Sequence, residues 1–465
     1  MKKRVNSRIA YLSILIFIGI LIFILAPIVN NFLQEPSISL SPMTLNGKSE
    51  VVIVENIDLT YTIKYYIHSG IFKYEIIDNF NYPKIPKELI SGKDIEIFGE
   101  VDQGLRIISI SQSGYLKILS NEANVASVNN RGNFNLGEQK TLIVPIFRTS
   151  APPLTREQII ANIFDLTNPD SLNSWIKEVS YNRAWLTGEV LDWTQASANE
   201  IYCNPTDMRN SQFFQNNNIN IESYTRLIII FEEGICGNNL EGIANIGIPE
   251  FNLQDTKIWL STSLVMKPEN IDNGVLAHEF GHNLGLQHAN GWWCNNNLPS
   301  QGPCSSSVYG DSLDVMGVAG NKGHFNVLHK ESIGWLKESQ IQNYNPKQGN
   351  YTIEPIEISN GTKMIKIPLQ DGSFYSIEYR RPIGTDASAL PSLILQWETT
   401  FLTVMRVLEY NGKKTLMVEI HNFLISPCQH KSEEIYSPQL FFWNKHSQTL
   451  QMELQSQLWK QMKII

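Results

Sequence analysis

The chain has 465 residues, enough for two or three domains with a sizeable core. Its formal net charge is −8 and only 18% of residues are charged, which excludes the basic face expected of a nucleic-acid-binding protein. Twenty-nine glycines and 21 prolines mark an ordinary globular composition rather than a fibrous or disordered one.

At the N-terminus, Lys2, Lys3, Arg4 and Arg8 precede an uncharged apolar run over residues 9–29. A helix of about 21 residues spans about 30 Å, the thickness of a hydrocarbon core. The next basic residue is Lys48, so the basic flank stays in the cytoplasm and the body of the chain lies outside. The run is long for the apolar part of a signal peptide, and no clear A-x-A site follows. Both features favour an uncleaved single-pass anchor over residues 1–30; a cleaved signal and a secreted body are the alternative. Five cysteines suit that oxidising compartment. Cys203–Cys236 and Cys294–Cys304 are the expected disulfides, with Cys428 left over; five reduced thiols are the alternative.

Residues 31–138 read as a small β-rich module, a sandwich or a barrel. VVIVENIDLTYTIKYYI, KDIEIFGEV and LRIISISQSGYLKIL are rich in β-branched and aromatic residues with partial alternation. No chemistry is visible there, and its lone His68 reads as structural. The module is an accessory domain, a stalk or a removable prosegment. It contains no cysteine, so no thiol from it can reach a metal elsewhere.

A second domain, 139–345, opens with the nearly all-apolar KTLIVPIF, suited to a central strand. Thr155 and Gln158 stand at capping-box spacing and begin a helix that runs, in one or two pieces, to about Val179. AWLTGEVLDW and RLIIIFEEG read as strands, as does KIWLST at 257–262. After Gly349, YTIEPIEI, MIKIPL and FYSIEYRR read as strands of a C-terminal β module, 346–465; beyond Asp386 the pattern fits no template.

The chemistry sits in residues 271–288, IDNGVLAHEFGHNLGLQH, which contain H-E-x-x-H-x-x-G-x-x-H. His278 and His282 are four residues apart, so a helix puts both imidazoles on one face. Gly285 permits the turn that brings His288 back as a third nitrogen. Three protein ligands leave one tetrahedral position of a Zn²⁺ ion open for water, the arrangement of a catalytic rather than a structural site. Glu279 is beside the metal and unbound to it, the place for a general base. Val275, Leu276, Phe280, Leu284 and Leu286 supply the apolar stripe that buries the helix.

This extended zinc motif, followed by YGDSLDVMG at 309–317, resembles the metzincin clan of metallopeptidases, and within it the gametolysin family. FNVLHKESIGW at 325–335, KTLIVPIF and SYNRAWLTGEV at 180–190 support the likeness, which covers roughly residues 139–385. The resemblance implies an α+β catalytic domain with a twisted mixed sheet, a backing helix, the zinc helix as the cleft floor, and Met316 in a tight turn under the histidines. It implies an endopeptidase for extracellular or cell-surface proteins or glycoproteins, with substrate laid along an edge strand, KIWLST being the candidate. Some clan members carry a metal-reaching Tyr two residues after the methionine; here that position is Val318. Tyr309 is a candidate for contact with a reacting carbonyl oxygen, or for packing. The readings from other classes are a catalytically silent, zinc-stabilised adhesion or binding module and a membrane-tethered structural protein with the β modules as its working parts.

Overall fold

The computed structural model describes residues 40–78, 85–86, 89–119, 134–253, 256–271, 274–293, 305–317, 322–345, 350–368 and 374–389, and C-terminal strand segments at 403–410, 413–420, 441–443 and 450–453. The expected membrane anchor and the Cys294–Cys304 pair lie outside the described residues. Among the described residues, no helix is long and apolar enough to cross a membrane.

The chain begins with strands β1 (Leu40–Asn56), β2 (Tyr61–Ser69), β3 (Phe72–Asp78), β4 (Asp94–Asp102), β5 (Ile107–Ile110) and β6 (Tyr115–Ile118). β1 is long enough to serve two neighbours, pairing with β4 through residues 40–48 and with β2 through residues 48–55. The β2–β3, β3–β5 and β5–β4 pairings complete a ring, so these five strands close into a barrel, with β6 added to β4. Ile53, Ile67, Ile95, Ile97, Val101 and Ile108 fill its interior. Closure pairs these five strands with one another and leaves β6 as the terminal strand of the module.

Strands β7 (Gly137–Phe147), β8 (Ala184–Val190), β9 (Thr194–Gln195), β10 (Arg226–Phe231) and β11 (Leu240–Asn245) follow, then a hairpin of β12 (Glu250–Leu253) and β13 (Thr256–Trp259), then β14 (Ser261–Val265). The order β8-β7-β10-β14-β11 is a mixed sheet, parallel except for β11. All six residues of β10 are buried, as a strand covered on both faces requires. On one face pack α1 (Arg156–Ile163) and α2 (Leu172–Val179), two short helices in place of one long backing helix; Thr155 and Gln158 form the expected reciprocal cap of α1. On the other pack α3 (Pro205–Arg209) and α4 (Gln212–Asn216), with Met208, Phe213 and Phe214 inward. Cys203, just before α3, is disulfide-bonded to Cys236.

The expected edge strand is not KIWLST. Its first half forms the β12–β13 hairpin, and its second half enters β14, hydrogen-bonded on both sides. The edge of this half is β11, whose Gly-containing LEGIAN is a weak strand signal in sequence. That edge is covered: residues 52–56 of β1 pair antiparallel with β11, merging barrel and sheet into one 12-stranded sheet. Val52 and Val54 turn into the sheet's second core beside Ile243 and Phe251, while Val51 and Ile53 face the barrel interior.

The seam is also ionic. Glu50 of β1, fully buried, accepts hydrogen bonds from Arg209 Nη2 and Asn245 Nδ2, each at 2.9 Å, and lies 2.7 Å from His68 Nε2. Burial raises the carboxyl's pKa, but the Arg209 guanidinium, His68 and the Thr206 hydroxyl together outweigh it and hold the group well below the usual carboxylate range. A depressed carboxylate stabilises the fold above its unfolded pKa, about 4.3, and loses that contribution as pH falls through its folded value. Glu50→Gln, which leaves Arg209 buried without its counter-charge, is expected to cost about 3–5 kcal/mol in urea denaturation at pH 7. The gap from wild type should narrow steadily below pH about 4.3.

Candidate metal centre

Helix α5 (Val275–Asn283) carries His278, Glu279 and His282, every residue of it buried. It is pinned to the sheet by its last residue: Asn283 Nδ2 donates to Asn245 O and Thr262 O, and Ser263 Oγ donates to Asn283 Oδ1. Arg226, buried in β10, donates to Asn283 O at 2.8 Å and to Ser261 Oγ at 2.9 Å. Gly285, at φ 100°, turns the chain out of the helix and lets His288 return toward it.

The three imidazoles converge. Ring centroids of His278, His282 and His288 lie 4.8–5.4 Å apart. Nδ1 of His278 is 2.7 Å from Val315 O, and Nδ1 of His282 is 2.8 Å from Leu286 O. With Nδ1 donating, Nε2 of each ring is left facing inward, the tautomer a metal needs.

A carboxylate from the barrel stands where these nitrogens point. Glu55 Oε1 lies 3.2 Å from His278 Nε2 and 2.6 Å from His288 Nε2, and Oε2 lies 3.7 Å from His282 Nε2. Tyr309 Oη donates to Glu55 Oε1 at 2.6 Å, and its ring sits 4.0 Å from that of His288. Tyr61 of β2 meets the His288 ring edge-on at 4.5 Å. Burial alone would raise the Glu55 carboxyl; the histidines, His278 foremost, hold it well below the ordinary range. For Glu279, burial and then the Glu55 charge push the carboxyl well above that range.

These residues fit a divalent metal. The ligand atoms of Glu55, His278, His282 and His288 lie within 4.8 Å of one another, all buried. His282 Nε2 has no hydrogen-bond partner, and neither has either oxygen of Glu279. Three imidazole nitrogens and a carboxylate make a donor set suited to zinc. Room for Glu279 comes from β11: a Cβ on Gly242 would fall 1.8 Å from Glu279 Oε1.

Met316 lies under α5, fully buried, and a Cβ on Gly281 would meet its Sδ at 2.3 Å. Its turn is built on Asp314, which accepts from Met316 N at 2.7 Å and Asn326 N at 2.8 Å, with His329 Nδ1 2.7 Å away. His329 belongs to α6 (Val327–Ser332), which explains why FNVLHKESIGW accompanies the motif. Arg380, held by Glu378 and Asp386, donates to Leu313 O at 3.2 Å. Residue 345 is therefore no packing boundary: Arg380, just after the strand Phe374–Ile377, reaches back to the segment that leads into the methionine turn. Val318 lies outside the described residues.

Glu55 was missed by sequence reading, being 223 residues from His278. One signal for it exists. In VVIVEN, two-residue alternation puts Glu55 on the face of Val51 and Ile53, an acid where the strand is otherwise apolar. The chain matches no known protein family and no curated protein.

Gly281→Ala is expected to overpack the contact between α5 and Met316 and to cost about 1–3 kcal/mol. Urea denaturation measures that loss, and isothermal titration of the metal-free chain with zinc should show weaker binding than in wild type.

Proposed function

We propose that the chain is a zinc-dependent endopeptidase of the metzincin type, most similar to the gametolysin family, acting on extracellular or cell-surface proteins. The observation that carries this reading is the convergence of three buried imidazoles beside a buried carboxylate, Glu279, whose oxygens have no hydrogen-bond partner. His278, His282 and His288 would hold the ion. When bound, zinc would supply Lewis acidity, lowering the pKa of water toward about 7 and polarising the scissile carbonyl.

The remaining work belongs to the chain. Glu279 accepts a proton from the attacking water and delivers it to the leaving amine. Val315 O and Leu286 O keep the ring nitrogens aimed inward, and Met316 supports the histidines from below. Once Glu55 is withdrawn, Tyr309 Oη is free to donate to a developing carbonyl oxygen. An extended substrate would pair with β11 as an added strand. The apolar N-terminal run, with its basic flank, would tether this body outside the cytoplasm.

A second reading has its own observation. Glu55 completes four protein donors, as in a closed structural site, which would make the chain a zinc-stabilised binding module. Glu279 weighs against it, since a structural site gives a buried, unpaired carboxylate nothing to do.

Elemental analysis should find one zinc per chain, lost in His282→Ala. Because Glu55 faces the ligand nitrogens, activity is best read in the Glu55→Ala background. There, casein digestion should be chelator-sensitive, and Glu279→Gln should reduce it by about 10²–10⁴-fold with zinc retained. Digestion that survives this change overturns the assignment of the base.

A further inference from the structure

We propose that one end of the N-terminal barrel is a membrane-docking surface. The β2–β3 and β4–β5 turns set Ile71 and Leu105 into the interface of a phospholipid bilayer, so that the body rests on the membrane that tethers it. This inference goes beyond the metal site and rests only on the reading of residues 9–29 as a membrane tether.

Both turns hold an aliphatic side chain out in solvent. β2 and β3 are joined by Gly70 and Ile71 alone, with Ser69 opposite Phe72. Gly70, at φ 60°, takes the first place of this two-residue loop, where a positive φ is required. Asn, Asp and Ser are the usual companions of Gly in such loops. Here the second place carries Ile71, 90% exposed. In the β4–β5 turn, Asp102 Oδ1 accepts from Gly104 N at 2.8 Å and from Leu105 N at 2.9 Å. That fixed turn raises Leu105, 65% exposed. Neither side chain belongs to the core of the barrel. Aliphatic residues exposed singly need no explanation, but apolar side chains gathered on one face mark an interaction surface.

These side chains are gathered. The Arg106 guanidinium lies 3.7 Å from the centre of the Phe72 ring and donates to Tyr74 Oη at 3.3 Å. Glu75 N donates to Arg106 O at 2.9 Å, so the two turns stand side by side. Leu40, 51% exposed, is the partner of Asp102 in the β1–β4 ladder, which puts the start of β1 beside the β4–β5 turn. Ile71, Phe72, Leu105 and Leu40 thus rim one end of the barrel, with a guanidinium among them. The bilayer interface accepts both parts: acyl chains take the apolar tips, and lipid phosphates take the cation. Lys73, the next cation along β3, is paired with Asp207 of α3.

Where the chain enters favours a bilayer over a protein partner. Residues 30–39 separate the apolar run from Leu40. Ten residues reach at most about 35 Å, so the end of the barrel that carries Leu40 is the end held near the membrane. The β1–β2 turn, with Leu59 exposed, lies at the other end of β1, where Ile57 N donates to Asn239 O. The histidine cluster, reached by Glu55, belongs to that far end. A body hung on the linker alone would swing. A body resting on the two turns is held in one orientation.

The test uses the full chain in vesicles of phosphatidylcholine and phosphatidylserine. Flotation first reads whether the membrane holds the chain. A photoreactive benzophenone amino acid is then placed singly at position 71, 105 or, as the far-end control, 59, and mass spectrometry identifies the adducts formed on illumination. Lipid adducts are expected at 71 and 105 and not at 59. In the chain probed at 105, Ile71→Ser should lower the lipid adduct by up to about tenfold, the loss of one buried aliphatic side chain. Flotation without lipid adducts at 71 and 105, or with equal adducts at all three positions, would overturn the docking proposal and leave the tether and zinc readings standing. Adducts at 71 and 105 to a second copy of the chain would overturn it in favour of self-association. Failure to float would remove the tether reading and the docking proposal together.

Discussion

The pairing of β1 with β11 is the constraint on which the rest of the molecule turns. It joins a closed barrel to a mixed sheet, and in doing so it fixes which side chains meet the histidines. Pleating gives a strand only two faces, so register is an all-or-none choice. With Glu55 opposite Gly242, the odd-numbered residues Val51, Ile53 and Glu55 share one face, and Val52 and Val54 share the other. The apolar residues make the register stable. The acid, carried along on an apolar face, is placed among imidazoles.

Buried charge recurs in this structure, and the clusters tie separate elements together. Glu50 with Arg209 locks the barrel to α3, Asp314 with His329 shapes the methionine turn, and Arg380 with Glu378 and Asp386 braces that turn from the C-terminal strands. Such pairs are weak sources of net stability, because desolvation offsets most of the attraction. Their effect is to punish misplacement: a carboxylate that loses its partner inside the protein is far worse off than an apolar side chain that shifts. Precision at the histidine cluster therefore depends on groups that never touch it.

The same logic sets Glu55 apart from Glu279. Both carboxylates are buried beside the same imidazoles. One is surrounded by ring nitrogens and a phenol, and the other has no hydrogen-bond partner at all. Environment, not residue type, divides them: one carboxyl is held well below the ordinary carboxylate range and the other is pushed well above it. Gly242 makes the division feasible, since any side chain there would occupy the space of the Glu279 carboxylate.

What sequence determined by itself was local. Spacing along one helix put His278 and His282 on a common face, Gly285 returned His288, and capping chemistry began α1 at Thr155, because periodicity and backbone freedom are properties of neighbouring residues. The apolar run RLIIIF declared a buried strand for the same reason. Tertiary structure decided which strand lies at the edge, that the barrel closes, that Arg380 reaches Leu313, and that Glu55 meets a histidine 223 residues away. Those outcomes depend on pairing between segments whose local patterns are each compatible with several partners. Only the packed molecule, with its burial and its charges satisfied together, selects among them.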